Sequence, residues 1–136
     1  MEIPVLIVDD YPEMLRLLRR VLQALGFTRI DQATNGSAAL AKLRESAFCL
    51  VISDLNMEPM SGLELLREVR SDSKLQSLPF IMLTAANESE KVIAAKEGGV
   101  TDYIVKPFTT DTVQRKLAVL FGHPPESCEP VWPDSR

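Results

Sequence analysis

The sequence predicts an α/β fold, a doubly wound sheet of five parallel strands separated by five helices. Three observations predict it. Short apolar runs alternate with segments of helical period along the chain. Most of those runs show no apolar–polar alternation, the pattern of strands covered on both faces. The strand–helix unit recurs five times, and right-handed crossovers between parallel strands then place helices on both sides of the sheet.

The strands are read from Val5-Leu6-Ile7-Val8, Leu50-Val51-Ile52, Phe80-Ile81-Met82-Leu83 and Tyr103-Ile104-Val105. A weaker run, Ile30-Asp31-Gln32-Ala33, is polar enough for an edge. The first helix opens at Pro12, where a missing N–H costs nothing. It presents Met14, Leu15, Leu17, Leu18, Val21, Leu22 and Leu25, and Gly26 suits a left-handed cap. The second helix runs from about Gly36 to Ser46, with Ala39, Leu40 and Leu43 inward. The third covers about Ser61 to Arg70, with Leu63, Leu66 and Val69 inward. A less apolar fourth, about Ser89 to Glu97, ends at Gly98-Gly99. The fifth, about Asp111 to Phe121, buries Val113, Leu117 and Leu120.

The length of 136 residues suits one domain with a core of its own. From His123 onward the chain holds four of its nine prolines and no periodicity. Residues 1–121 are therefore read as the domain and 122–136 as a Pro-rich C-terminal tail. Within that tail, Val131 and Trp132 are expected to dock on the domain or a partner, because an exposed tryptophan leaves a large apolar area in water. A net charge of −4 gives no general attraction for nucleic acid or an anionic membrane. The start Met-Glu-Ile-Pro lacks a basic segment followed by a long apolar run, and no stretch nears the roughly 18 apolar residues of a membrane helix. A cytoplasmic protein is expected. Cys49 and Cys128 have neither zinc-site nor redox-pair spacing, so Cys49 is read as a small buried hydrophobe and no disulfide is expected.

In open α/β sheets the site lies beyond the carboxyl ends of the strands. Strand one ends in Asp9-Asp10, strand three in Asp54, strand four in Thr84 and strand five in Lys106-Pro107. Singly, each has an ordinary reading: an Asp after a strand is commonly a turn former or helix cap, and a Lys a solvated charge. Together they put three carboxylates, a hydroxyl and an ammonium at one edge of one sheet.

With those residues in view, the chain resembles response regulator receiver domains, and most of all the stand-alone chemotaxis type. The matching pieces are Val8-Asp9-Asp10, the segment from Asp54 through Leu55, Asn56, Met57, Glu58, Pro59, Met60 and Ser61 to Gly62, Leu83-Thr84-Ala85, and Tyr103 to Phe108 with Lys106-Pro107 between them. The match spans about residues 3 to 121. The resemblance implies a flavodoxin-like fold with strand order 2-1-3-4-5. It implies that Asp54 accepts a phosphoryl group from a histidine kinase or phosphotransfer protein, assisted by Lys106 and Thr84. It implies a Mg²⁺ site made by Asp9, Asp10, Asp54 and the backbone carbonyl of Asn56, with Asp9 acting through water. It implies a cis Lys106-Pro107 bond. Thr84 and Tyr103 would form the switch, remodelling a protein-binding face of helix four, strand five and helix five. The chain would be a phosphoprotein of a two-component system rather than an enzyme, its chemistry confined to its own phosphorylation and dephosphorylation. One departure stands out: many relatives carry proline four positions after the phosphorylated Asp, where this chain has Glu58 followed by Pro59.

Two other readings use the same residues. A phosphorelay shuttle would pass the group to a histidine of a phosphotransfer domain. An Asp-nucleophile phosphatase of the haloacid dehalogenase type would need an acid two residues after its nucleophile, and here Asn56 follows Asp54 and Tyr11 follows Asp9.

Overall fold

The computed structural model describes residues 3–85 and 89–121. Its elements run β1 (Val5–Val8), α1 (Pro12–Ala24), β2 (Ile30–Ala33), α2 (Gly36–Glu45), β3 (Leu50–Asp54), α3 (Gly62–Ser71), β4 (Phe80–Ala85), α4 (Ser89–Glu97), β5 (Asp102–Lys106) and α5 (Thr110–Phe121). All strand pairs are parallel, in the order β2-β1-β3-β4-β5. The fold class and strand order are those expected.

Side-chain alternation along each strand divides the core in two. Val5 and Ile7 of β1, Leu50 and Ile52 of β3 and Ile81 and Leu83 of β4 pack with Leu15, Leu18 and Leu22 of α1 and Val113 and Leu117 of α5. Leu6, Val8, Val51, Phe80 and Met82 face the other way, against Leu40 and Leu43 of α2, Leu65, Leu66 and Val69 of α3, and Ala95 of α4. Burial on both faces is what removes polar alternation from the central strands.

Local chemistry sets the helix ends. The Asn35 side chain accepts the Ala38 N–H at 2.8 Å and caps α2. Ser61 and Glu64 form a reciprocal capping box at the start of α3. Gly26, at φ 99°, closes α1 in the left-handed conformation, with the Phe27 N–H reaching Leu22 O at 2.9 Å.

Three details differ from expectation. Leu17 is 43% exposed, whereas Leu65, not assigned inward from the sequence, is fully buried. β5 is an edge strand, with Tyr103 half-buried and Val105 exposed, because its run of apolar residues does not reveal that only one side has a neighbouring strand. α4, read as the less apolar helix, accordingly buries only Ala95 completely. Cys49 is buried as expected, but its sulfur is in a disulfide rather than a free thiol; Cys128 lies outside the described residues. The tail expectations, including docking of Val131 and Trp132, also fall outside them. Among the described residues no helix is long and apolar enough to cross a membrane.

Candidate functional site

Strand register assembles the site. Val8 pairs with Ser53, so the next residues, Asp9 and Asp54, emerge side by side from β1 and β3. Asp54 pairs with Leu83, which brings Thr84 up one step further along β4. Ala85 pairs with Lys106, the last residue of β5. Adjacent strands lie about 4.8 Å apart, so four strand ends converge without any long-range loop.

Asp9 is fully buried, Asp54 is nearly so, and Asp10 is exposed. Carboxylate oxygens from all three lie within 4.8 Å of one another. Lys106 donates from Nζ to Asp54 Oδ1 at 2.6 Å. One oxygen of Asp9 accepts the Tyr11 backbone N–H at 2.9 Å. The other, Oδ2, is buried with no hydrogen-bond partner among the described residues. Burial first, and the Asp54 and Asp10 charges after it, outweigh the Tyr11 hydrogen bond and the Lys106 charge, and push the Asp9 carboxyl up to about 6.

These features fit a hard divalent cation. The donors are oxygens alone, with no histidine or cysteine among them, which suits Mg²⁺ rather than a soft metal. An orphaned, buried carboxylate oxygen is costly in a dry fold, and a cation at the cluster would relieve it. Asp9, Asp10 and Asp54 are brought together as the sequence suggested. Asn56 lines an open cleft of about 420 Å³ with Asp10, Met57, Glu58 and Ser61.

The loop after Asp54 is held tightly against the strand end. The Gly62 N–H donates to Leu55 O at 3.0 Å. A Cβ at position 62 would collide with the carbonyl oxygen of Asp54. Glycine here thus allows α3 to start directly beside the acidic cluster. The departure at Glu58-Pro59 leaves this contact intact. Both Glu58-Pro59 and Lys106-Pro107 are cis, the latter as expected.

Thr84 is buried at the end of β4, and its hydroxyl donates to Ala85 O at 3.2 Å. Tyr103 lies between two ammonium groups, with Lys96 Nζ 5.1 Å and Lys116 Nζ 5.3 Å from its ring centroid. These are cation–π distances. Thr84, Ser89, Val92, Ile93, Tyr103 and Val105 line a groove of about 270 Å³. Thr84 and Tyr103 therefore share one groove, on the side of the sheet edge where α4 meets β5.

One polar contact was not legible in the sequence. Lys91 of α4 donates to Asn56 Oδ1 at 2.7 Å, across 35 residues. Neither periodicity nor strand-end position marks Lys91, so no local signal could have found it.

Comparison with known proteins agrees with this geometry. The family described as "Response regulator receiver domain" matches residues 5–118. The chain is 42% identical over 117 residues to the chemotaxis protein CheY-3 of Vibrio cholerae, covering 86% of this chain and 90% of that protein. It is 40% identical over 117 residues to the chemotaxis protein CheY of Pseudomonas aeruginosa, covering 86% and 94%. Its fold superposes on the chemotaxis response regulator CheY4 of Vibrio cholerae with a TM-score of 0.81 at 34% identity, covering 88% of this chain and 99% of that one. A family match over most of the chain, the five-stranded order and the converging acidic cluster lead to one conclusion: the chain belongs to the response regulator receiver domain family.

Proposed function

We propose that this protein is a phosphorylation-dependent signalling switch of a two-component system, with Asp54 as the phosphoacceptor. The observation that carries this reading is the Lys106–Asp54 contact at 2.6 Å beside two further carboxylates. A carboxylate oxygen of Asp54 attacks phosphorus, the donor's leaving group departs, and an acyl phosphate forms on the side chain. Negative charge spreads over the equatorial oxygens of the transferring group, so positioned cations supply most of the catalysis. Lys106, already at the Asp54 carboxylate, can follow one of those oxygens as a flexible point charge. Thr84, by exchanging its bond to Ala85 O, can donate its hydroxyl to another.

Asp9, Asp10, Asp54 and the backbone carbonyl of Asn56 would hold Mg²⁺. Bound there, Mg²⁺ would offset the mutual repulsion of the carboxylates and cover charge on the incoming phosphoryl group. Asp9, with its unpartnered oxygen, is the member whose charge most needs such a neighbour.

The output is a protein contact. Movement of Thr84 empties part of the groove it shares with Tyr103, and the tyrosine can follow inward. The α4–β5–α5 face changes shape with it. The phosphoryl group would come from a histidine kinase or phosphotransfer protein, and the similarity to chemotaxis proteins makes chemotactic signalling the pathway we assign. The protein acts in the cytoplasm, without nucleic acid or membrane as partner. Residues 1–121 form the receiver domain, and the 122–136 tail is dispensable for the chemistry, since no site residue lies in it.

Incubation with acetyl phosphate tests the reading. Wild-type protein should gain one hydroxylamine-cleavable phosphoryl group with Mg²⁺ and none with excess chelator. Labelling that ignores the chelator, or that resists hydroxylamine, would contradict it.

A further inference from the structure

Cys49 is buried, with its sulfur in a disulfide. The chain contains two cysteines, so within one molecule the bond has one available partner, Cys128 of the tail. Cys128 lies outside the described residues, and the position of Cys49 is what favours the pairing. Cys49 stands directly before β3, and its N–H donates to Pro4 O at 2.8 Å, at the edge of the sheet where the strands begin. It belongs to the half of the core shared by α1 and α5. Leu120 and Phe121, at the end of α5, pack against that same half. α5 starts beside the end of β5 and runs back along the sheet, so the tail leaves the domain at the edge that holds Cys49.

The length of chain is sufficient. Cys128 is seven residues past Phe121, a segment that spans up to about 24 Å when extended. One strand, β4, separates β5 from β3, which sets those two about 10 Å apart. A bond between two copies of the chain is disfavoured by the burial of Cys49, whose sulfur is not offered at the surface.

We propose that Cys49 and Cys128 form a redox-sensitive clasp that ties the C-terminal tail to the receiver domain at the sheet edge opposite the phosphoacceptor. Where thiols are kept reduced, a disulfide forms under oxidation and is reversed by the thiol pool. Closure takes two exchanges with a small disulfide such as oxidised glutathione. The thiolate of one cysteine attacks it, forming a mixed disulfide and releasing one reduced glutathione. The other cysteine's thiolate attacks the protein sulfur of that mixed disulfide, forming the Cys49–Cys128 bond and releasing the second. The two protein thiols thus give up two electrons and two protons, and the small disulfide takes them. Asp54 lies five residues further along β3, about 17 Å away, so the clasp acts on the tail and the stability of the domain and not on the acidic cluster. It closes a loop of about 80 residues, a constraint on the unfolded chain that raises the melting temperature.

Purified full-length protein, reduced and then equilibrated with mixtures of reduced and oxidised glutathione, gives the test. After unfolding in an alkylating agent, the reduced form should carry two alkyl groups and the oxidised form none. A non-reducing peptide map of the oxidised form should join the Cys49 peptide to the Cys128 peptide. The oxidised wild type should melt roughly 5–15 °C above the reduced one. Cys128→Ser should melt at one temperature in both conditions, close to that of reduced wild type. Excess reduced glutathione should reopen the bond in the folded protein. A disulfide-linked dimer, glutathione held on Cys128 with Cys49 still free, equal melting of oxidised and reduced wild type, or a bond that reduced glutathione leaves closed would each overturn the clasp.

Discussion

Lys106 Nζ and Asp54 Oδ1 stand 2.6 Å apart across 52 residues of sequence, joining the end of an edge strand to the end of a central one. β4 lies between their strands, so the lysine spans the width of one strand to reach the carboxylate. It brings an ammonium into contact with this cluster of three carboxylates. Lys106→Met should therefore destabilise the metal-free protein by about 1–3 kcal/mol at neutral pH. Mg²⁺ should stabilise the variant more than the wild type, because the cation takes over part of the lost charge. Urea titrations with and without Mg²⁺ measure both, and equal metal-free stabilities would contradict the role given to Lys106.

Asp9 supplies a pH dependence. Its carboxyl rises from an ordinary 3.8 to about 6 in the fold, chiefly through burial. Between those values the folded protein holds a proton that the unfolded chain has released. The contribution of Asp9 is thus fully favourable below 3.8 and is lost as pH rises through about 6. The loss is about 3 kcal/mol in the metal-free protein. Asp9→Asn should be more stable than wild type at pH 7.5 without metal, and no more stable at pH 4. Mg²⁺ affinity of the wild type should fall as pH drops below 6, since the proton competes with the cation. Denaturation at the two pH values and titration calorimetry check this, and a pH-independent Mg²⁺ affinity would contradict it.

Gly62 should be intolerant of any side chain. The methyl of alanine would meet the carbonyl oxygen of Asp54, and either α3 or the acceptor strand end must shift. Gly62→Ala should cost about 1–3 kcal/mol and also slow labelling by acetyl phosphate. Normal labelling kinetics in a destabilised variant would separate the packing effect from the site.

The switch can be followed by NMR with beryllofluoride as phosphoryl mimic. Thr84 and Tyr103 share a groove, so shift changes should reach Val100 to Phe108 and α4. The mimic should shift a pre-existing equilibrium rather than refold the domain. Changes confined to the loops after β1 and β3 would contradict the proposed coupling.

Much of this molecule was legible in its sequence, for identifiable reasons. Central strands such as Val5–Val8 announce themselves because both faces are buried, and the residues that follow them had to include the site. Pro12 and Gly26 marked α1 because each suits one backbone position. Strand order was legible only through resemblance, since local patterns carry no information about which strands pair. Leu17 and Leu65 were misjudged because both sit near the border of a helix's apolar stripe, where a small rotation decides burial. Val105 reads like a core residue although β5 is an edge. The Lys91–Asn56 contact and the disulfide at Cys49 are tertiary events with no local pattern to betray them.

The central claim is that Asp54 is the group that takes up phosphate. Intact-mass analysis after treatment with acetyl phosphate and Mg²⁺ tests it most directly, on the wild type and on Asp54→Asn side by side. The account predicts one phosphoryl group on the wild type and none on the variant. Full phosphorylation of Asp54→Asn at another residue would contradict it.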